Sequence, residues 1–164
     1  MVQPLNQEWV GVSLPVRLKD VVDELDAPLR GWQAFVHRTT GQVVGFSEED
    51  EGVAEWDAAD VPAWQVEVLE MIRAVHASDD YVRLPDREAF DEYGVMEAFC
   101  YQQEGPGVQA ELLDAIRGCG AFSRFKDLIR VRGLDQEWYA HRDEALREWV
   151  ADFLGEEGIP FVDE

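Results

Sequence analysis

The chain has 164 residues, 46% of them hydrophobic, and carries 35 acidic against 14 basic side chains for a formal charge of -21. That length suits one domain with a sizeable core, and that charge turns nucleic acid and anionic membrane away from the average surface, so a polyanion needs a local basic exception. No run approaches the ~18 to 20 apolar residues that span a bilayer. Gln3, Pro4, Asn6 and Glu8 stand where a secretory signal would have a basic start and an apolar run. With two cysteines, Cys100 and Cys119, the expected home is a reducing cytoplasm.

Residues 1–17, with Pro4, Trp9 and Pro15, lack a helical period and read as a poorly ordered arm or an edge strand. Residues 18–164 then read as a single α+β domain. Leu18, Val21, Val22 and Leu25 recur at helical spacing, and Pro28 limits that helix. Trp32 to Val36 and Gln42 to Phe46 are rich in β-branched and aromatic residues and flank Arg38-Thr39-Thr40-Gly41, a β-hairpin pattern. An isolated hairpin is marginal in water, so a third strand is required, and Tyr81 to Leu84, closed by Pro85, fits best.

Glu48 to Asp57 is an acidic run without a basic residue. It reads as a solvated connector or, more sharply, as a docking strip in which Trp56 anchors a basic partner. The alternation of calcium ligands is not met. After Pro62, the residues Trp64, Val68, Leu69, Ile72 and Val75 share a helical face that His76 closes. Phe90, Tyr93, Met96, Phe99 and Cys100 mark a further helical region, with a kink or two short helices expected at Gly94.

Val108, Leu112, Leu113 and Ile116 define another amphipathic helix, and Gly118 is placed to stop it in the left-handed conformation. Phe122, Phe125, Leu128 and Ile129 repeat until Gly133, both phenylalanines being expected in the core. Leu134 and Asp135 offer a staple and an N-cap for a last helix carrying Trp138, Ala145, Leu146, Trp149, Val150 and Phe153. Arg142, one turn after Trp138, should be buried and matched to a carboxylate or stacked on the indole. Gly155 and Gly158 lead to a tail.

Gly120-Ala121-Phe122, Arg124-Phe125-Lys126-Asp127, Trp138-Tyr139 and Arg142 to Leu146 form a pattern with Tyr93, Met96-Glu97, Phe99-Cys100, Tyr81 to Pro85 and the Thr40 to Val44 turn. From about Leu18 to the end this pattern resembles the bacterial uncharacterised protein family 0158. The resemblance implies no agreed activity. The family pattern often has basic residues where this chain has Cys119 and Ser123, so two positive charges are missing from the motif.

Glycines before a helix N-terminus can present N–H groups to a phosphate, with Arg124, Lys126 and Arg130 adding charge. Neither the phosphate-loop nor the dinucleotide spacing is present, and an interhelical turn explains the glycines as well. Lys126 and Arg130 share the outer face, whereas Arg124 falls on the other flank of the apolar stripe. His37, His76 and His141 have no metal-ligand spacing. Cys119 at a helix start could in principle have a lowered pKa, but the family resemblance does not support a required cysteine there.

The composition and pattern lead to a mostly helical α+β domain with a small antiparallel sheet built on an N-terminal hairpin. Its expected role is non-enzymatic protein binding in the cytoplasm, with no cofactor, metal or membrane and with Arg124, Lys126, Arg130 and Trp56 as the candidate binding residues. The alternatives are a phosphate-ligand or nucleic-acid binder using the basic island around Arg124, and a hydrolase with carboxylate chemistry. Because self-repulsion is screened by salt, the melting temperature should rise between low and moderate ionic strength. A flat or falling salt series would contradict this account of the surface.

Overall fold

The computed structural model describes residues 14–26, 30–53, 55 and 58–163. Trp9, Pro28 and Trp56 lie outside the described residues, as does most of the stretch expected to be an arm. The elements are β1 (Val16–Arg17), α1 (Leu18–Leu25), β2 (Trp32–His37), β3 (Val43–Ser47), α2 (Glu48–Val53), α3 (Ala63–Ala77), β4 (Tyr81–Arg83), α4 (Glu92–Gln102), α5 (Pro106–Ala115), α6 (Ala121–Val131), α7 (Asp135–Glu156) and β5 (Phe161–Val162). Short 3-10 turns cover Ala58–Asp60 and Arg87–Ala89. The fold is α+β and mostly helical. Its described residues fall into two compact units, one running to Ala89 and resuming at Val150, the other spanning Phe90–Trp149.

In the first unit the expected hairpin forms, and Tyr81–Arg83 supplies the third strand in the antiparallel order β3-β2-β4. Alternation gives the sheet two faces. Val44 and Phe46 pack with Ile72 and Val75 of α3 on one face, with Phe35 and Tyr81 beside them. On the other, the indole of Trp32 donates to Glu24 of α1 at 2.8 Å. Gly45 lies beneath that pair, where a Cβ would come 2.6 Å from the Trp32 nitrogen and collide with the Glu24 carboxylate.

The hairpin loop ties distant segments together. Gly41 takes φ +71° and has Pro15 O where a Cβ would stand at 2.7 Å. The Leu14 amide donates to Thr39 O, and the Arg38 amide to Asp80 O. The Arg38 side chain donates to the backbone oxygen and carboxylate of Glu157, beyond the end of α7. Val16 and Arg17 pair in parallel with Phe161 and Val162, so the C-terminal tail ends in a strand that two-residue segments do not announce.

Three further departures belong to this unit. The acidic run is not a plain connector through Val53, because Ser47 Oγ accepts from the Asp50 amide and α2 starts there. Its carboxylates crowd the first turn, where the helix dipole favours them. Trp64, expected on the buried face of α3, is 74% exposed, because the covered stripe consists of Leu69, Ile72 and Val75. Gly155 lies inside α7, which closes instead at Gly158, with Ile159 N donating to Leu154 O at 2.9 Å.

The second unit buries Met96, Phe99, Cys100, Leu112, Ile116, Ala121, Phe125, Ile129 and Trp138. At its centre the rings of Phe99, Phe125 and Trp138 meet edge to face, with centroids 4.9 to 5.9 Å apart. Burial pushes the Cys100 thiol up to about 11, as expected of a core cysteine. The expected kink at Gly94 is absent. Gly94 sits in the first turn of α4, its amide donates to the N-cap Asp91 at 2.9 Å, and a Cβ there would run into the Asp91 carboxylate. Asp135 likewise falls inside the first turn of α7 rather than at its cap.

Phe122 corrects the expectation of two core phenylalanines, since it is 40% exposed whereas Phe125 is fully buried. Phe125→Ala should therefore cost roughly 3 to 5 kcal/mol through transfer and cavity terms. Phe122→Ala should cost about 1 kcal/mol or less. Urea unfolding of the two variants checks the contrast, and equal losses would place Phe122 in the core after all.

Candidate functional site

The Gly118-Cys119-Gly120 link depends on an arginine from the helix that follows it. Gly118 and Gly120 both have positive φ, +72° and +79°. The reversal leaves carbonyls at the end of α5 and in the link without helical partners. Arg124 fills this role: Nε donates to Ala115 O at 2.8 Å, while Nη1 and Nη2 donate to Cys119 O and Arg117 O at 2.5 Å each. Its guanidinium passes so close to Gly120 that a Cβ there would lie 3.0 Å from Nη1. The cation stands at a helix C-terminus, where the dipole favours it.

The other expected basic residues do not join Arg124. Lys126 is exposed, and Arg130 Nη2 lies 3.0 Å from Asp127 on the same helix with both side chains largely in water. Arg132 is paired with Glu111 across to α5. Arg142 pairs with Glu92 at 2.7 Å as expected, though at 23% side-chain exposure it is half-buried. Among the basic residues of the motif, Arg124 and Arg132 thus hold α5 and α6 together.

Trp56 lies outside the described residues, but the acidic strip that precedes it is held firmly. The buried Gln33 side chain on β2 donates to Glu51 at 2.8 Å, and His76 of α3 lies 3.0 Å from the other carboxylate oxygen. The Gln33 hydrogen bond holds the Glu51 carboxyl below its ordinary range, against some burial that raises it, and His76 lowers it further. Gln65 of α3 donates to Asp50. These contacts fasten α2 to the sheet and to α3, leaving Glu48 and Glu49 exposed.

Residues 48–72 contain nine carboxylates and no lysine, arginine or histidine. Trp64 emerges within that stretch, one turn before Val68 and three residues before the exposed Glu67. Its place in the first turn of α3 was the available signal, because the covered face starts only at Leu69. The histidines serve other contacts: His37 Nδ1 accepts from the Thr39 and Thr40 amides, and His141 Nε2 contacts Val95 O at 3.1 Å. No group of three or more His, Cys, Asp or Glu residues among the described residues could hold a metal ion.

The sequence profile of the Uncharacterised protein family UPF0158 matches residues 13–164. The chain belongs to this family. UPF0158 protein PA5073 of Pseudomonas aeruginosa is 36% identical over 67 residues, 40% of this chain and 44% of that relative. The chain therefore spans less than half the length of this curated relative. No solved structure matches it significantly. UPF0158 membership carries no stated activity, so function rests on the residues themselves.

Removing the Arg124 side chain should strand carbonyls at the α5–α6 link. Arg124→Ala is expected to cost about 1 to 2 kcal/mol, the range for charge-assisted hydrogen bonds reduced by exposure. Arg124→Lys should recover only part of this, because an ammonium lacks the planar fork. Equal stability of Arg124→Ala and the parent in urea would remove this structural role.

Proposed function

We propose that this UPF0158 chain is a cytoplasmic, non-enzymatic protein-binding domain that docks a lysine- and arginine-rich segment of a partner on α2 and α3. The observation that carries the reading is Trp64, 74% exposed within residues 48–72, which hold nine carboxylates and no cation, with Arg73 and His76 following on α3 against Glu48, Glu51 and Glu55. A large exposed aromatic supplies the desolvated anchor that dominates interfaces. The carboxylates of the same stretch supply complementarity and on-rate toward a basic partner and repel acidic ones. Anchoring α2 through Gln33 and His76 keeps the carboxylates in place before binding, which lowers the ordering cost. Trp56, in the same acidic stretch, is a second candidate anchor.

The cytoplasmic placement is supported by Cys100 and Cys119, both unbridged. No helix among the described residues is long and apolar enough to cross a membrane.

A synthetic lysine- and arginine-rich peptide tests the surface directly. The parent should bind it, more weakly as salt rises. Trp64→Ala should weaken binding by about 2 kcal/mol without lowering the melting temperature. Lys126→Ala should leave binding unchanged. Equal affinity of the parent and Trp64→Ala would end this reading.

A further inference from the structure

Three of the chain's fourteen cations line one cavity, and none belongs to the conspicuous α6 motif. It lies at the end of the sheet where β2 begins and β4 ends, has a volume of about 400 Å³, and is lined by Arg30, Arg83 and Arg87. Leu25, Trp32 and Leu84 form its apolar wall. That volume falls within the range of small-molecule sites.

The arginines arrive from three directions: Arg30 just before β2, Arg83 at the end of β4 and Arg87 in the 3-10 turn that follows. Arg30 makes no hydrogen bond or ion pair among the described residues. Arg83 Nη2 lies 3.2 Å from Asp86, with both side chains more than half exposed. Arg87 Nε lies 3.3 Å from Asp26. The Arg83 pair is wet and contributes little, so a ligand oxygen can replace Asp86 at small cost, whereas Arg87, at 24% side-chain exposure, is the more firmly held of the two. Guanidinium forks match the oxygens of a phosphoryl group, and each added fork supplies charge-assisted hydrogen bonds that a lone surface pair lacks.

Glu48, Asp86 and Glu88 also line the cavity. With the chain's overall charge they remove any long-range attraction for anions, so affinity must come from direct contact. We propose that this cavity binds the phosphoryl group of a small phosphorylated molecule, its oxygens on Arg30, Arg83 and Arg87 and its carbon portion against Leu25, Trp32 and Leu84. This site is independent of the docking surface on α2 and α3 and stands whether or not that surface binds a peptide.

The test uses the full chain at constant ionic strength, with sodium chloride exchanged first for inorganic phosphate and then for glycerol 3-phosphate. Saturable NMR shifts are expected at the Gly31 and Leu84 amides, with glycerol 3-phosphate the tighter ligand because it reaches the apolar wall. Arg30→Ala and Arg83→Ala, both exposed and expected to melt like the parent without ligand, should each weaken binding about tenfold or more. Lys126→Ala should not. Shifts that do not saturate, or that persist unchanged in both arginine variants, would overturn the site. Equal affinity for the two ligands would overturn the assignment to a phosphorylated molecule rather than free phosphate.

Discussion

Cations are scarce in this chain, and the places where they stand decide which joints hold. Fourteen basic side chains face thirty-five carboxylates, so most carboxylates must be kept by water or by the backbone. Two of the twelve arginines bind carbonyls after helices, Arg124 in place of an ion pair and Arg38 in addition to its pair with the Glu157 carboxylate. Arg124 binds three oxygens around the end of α5, and Arg38 binds the Glu157 oxygen just past α7. There a single guanidinium satisfies acceptors that the helix cannot and also complements the dipole. An exposed ion pair would use the same charge for less. The acidic side shows the mirror arrangement, with the carboxylates of α2 concentrated in its first turn.

The hairpin loop at residues 38–41 serves a similar economy in the first unit. Leu14, Asp80 and Glu157, widely separated in sequence, all bond to it. The Thr40-Gly41-Gln42 turn therefore acts as more than a reversal between β2 and β3. Gly41 is needed for its left-handed backbone and for the close passage of Pro15. A side chain there would disturb both the loop and the entry to β1.

The elements legible in the sequence are those whose signal is local and repeated. Leu18, Val21, Val22 and Leu25 are all buried, as their spacing required, and the β-branched and aromatic runs flanking Arg38 to Gly41 form the hairpin. Periodicity fails at the edge of a stripe. Phe122 and Phe125 share an apolar arc, yet only neighbours brought by folding determine which is covered, and Trp64 fails for the same reason one turn ahead of Leu69. Pairing of β1 with β5 joins the two ends of the described chain through two residues each, too few to carry a pattern. Arg124 illustrates the limit for function, because its angular position placed it beside the core but could not reveal three carbonyls facing it. Gly94 was misread because glycine within a helix resembles a break unless the N-cap Asp91 is recognised three residues earlier.

The charge excess also bears on how an exposed tryptophan can be tolerated. A large apolar side chain at a surface invites association with further copies of the same chain. Around Trp64 that association meets opposition, because a second copy brings its own formal charge of -21 and the same carboxylate-rich stretch. Repulsion between like surfaces opposes the homotypic contact, and on the proposed reading a basic segment gains from the same field. On the proposed reading the carboxylates act twice, opposing self-association and selecting a basic partner. Within the stretch, Gln33 and then His76 hold the Glu51 carboxyl below the ordinary carboxylate range. On that reading, loss of the carboxylates with Trp64 retained would shift the balance from docking toward self-association.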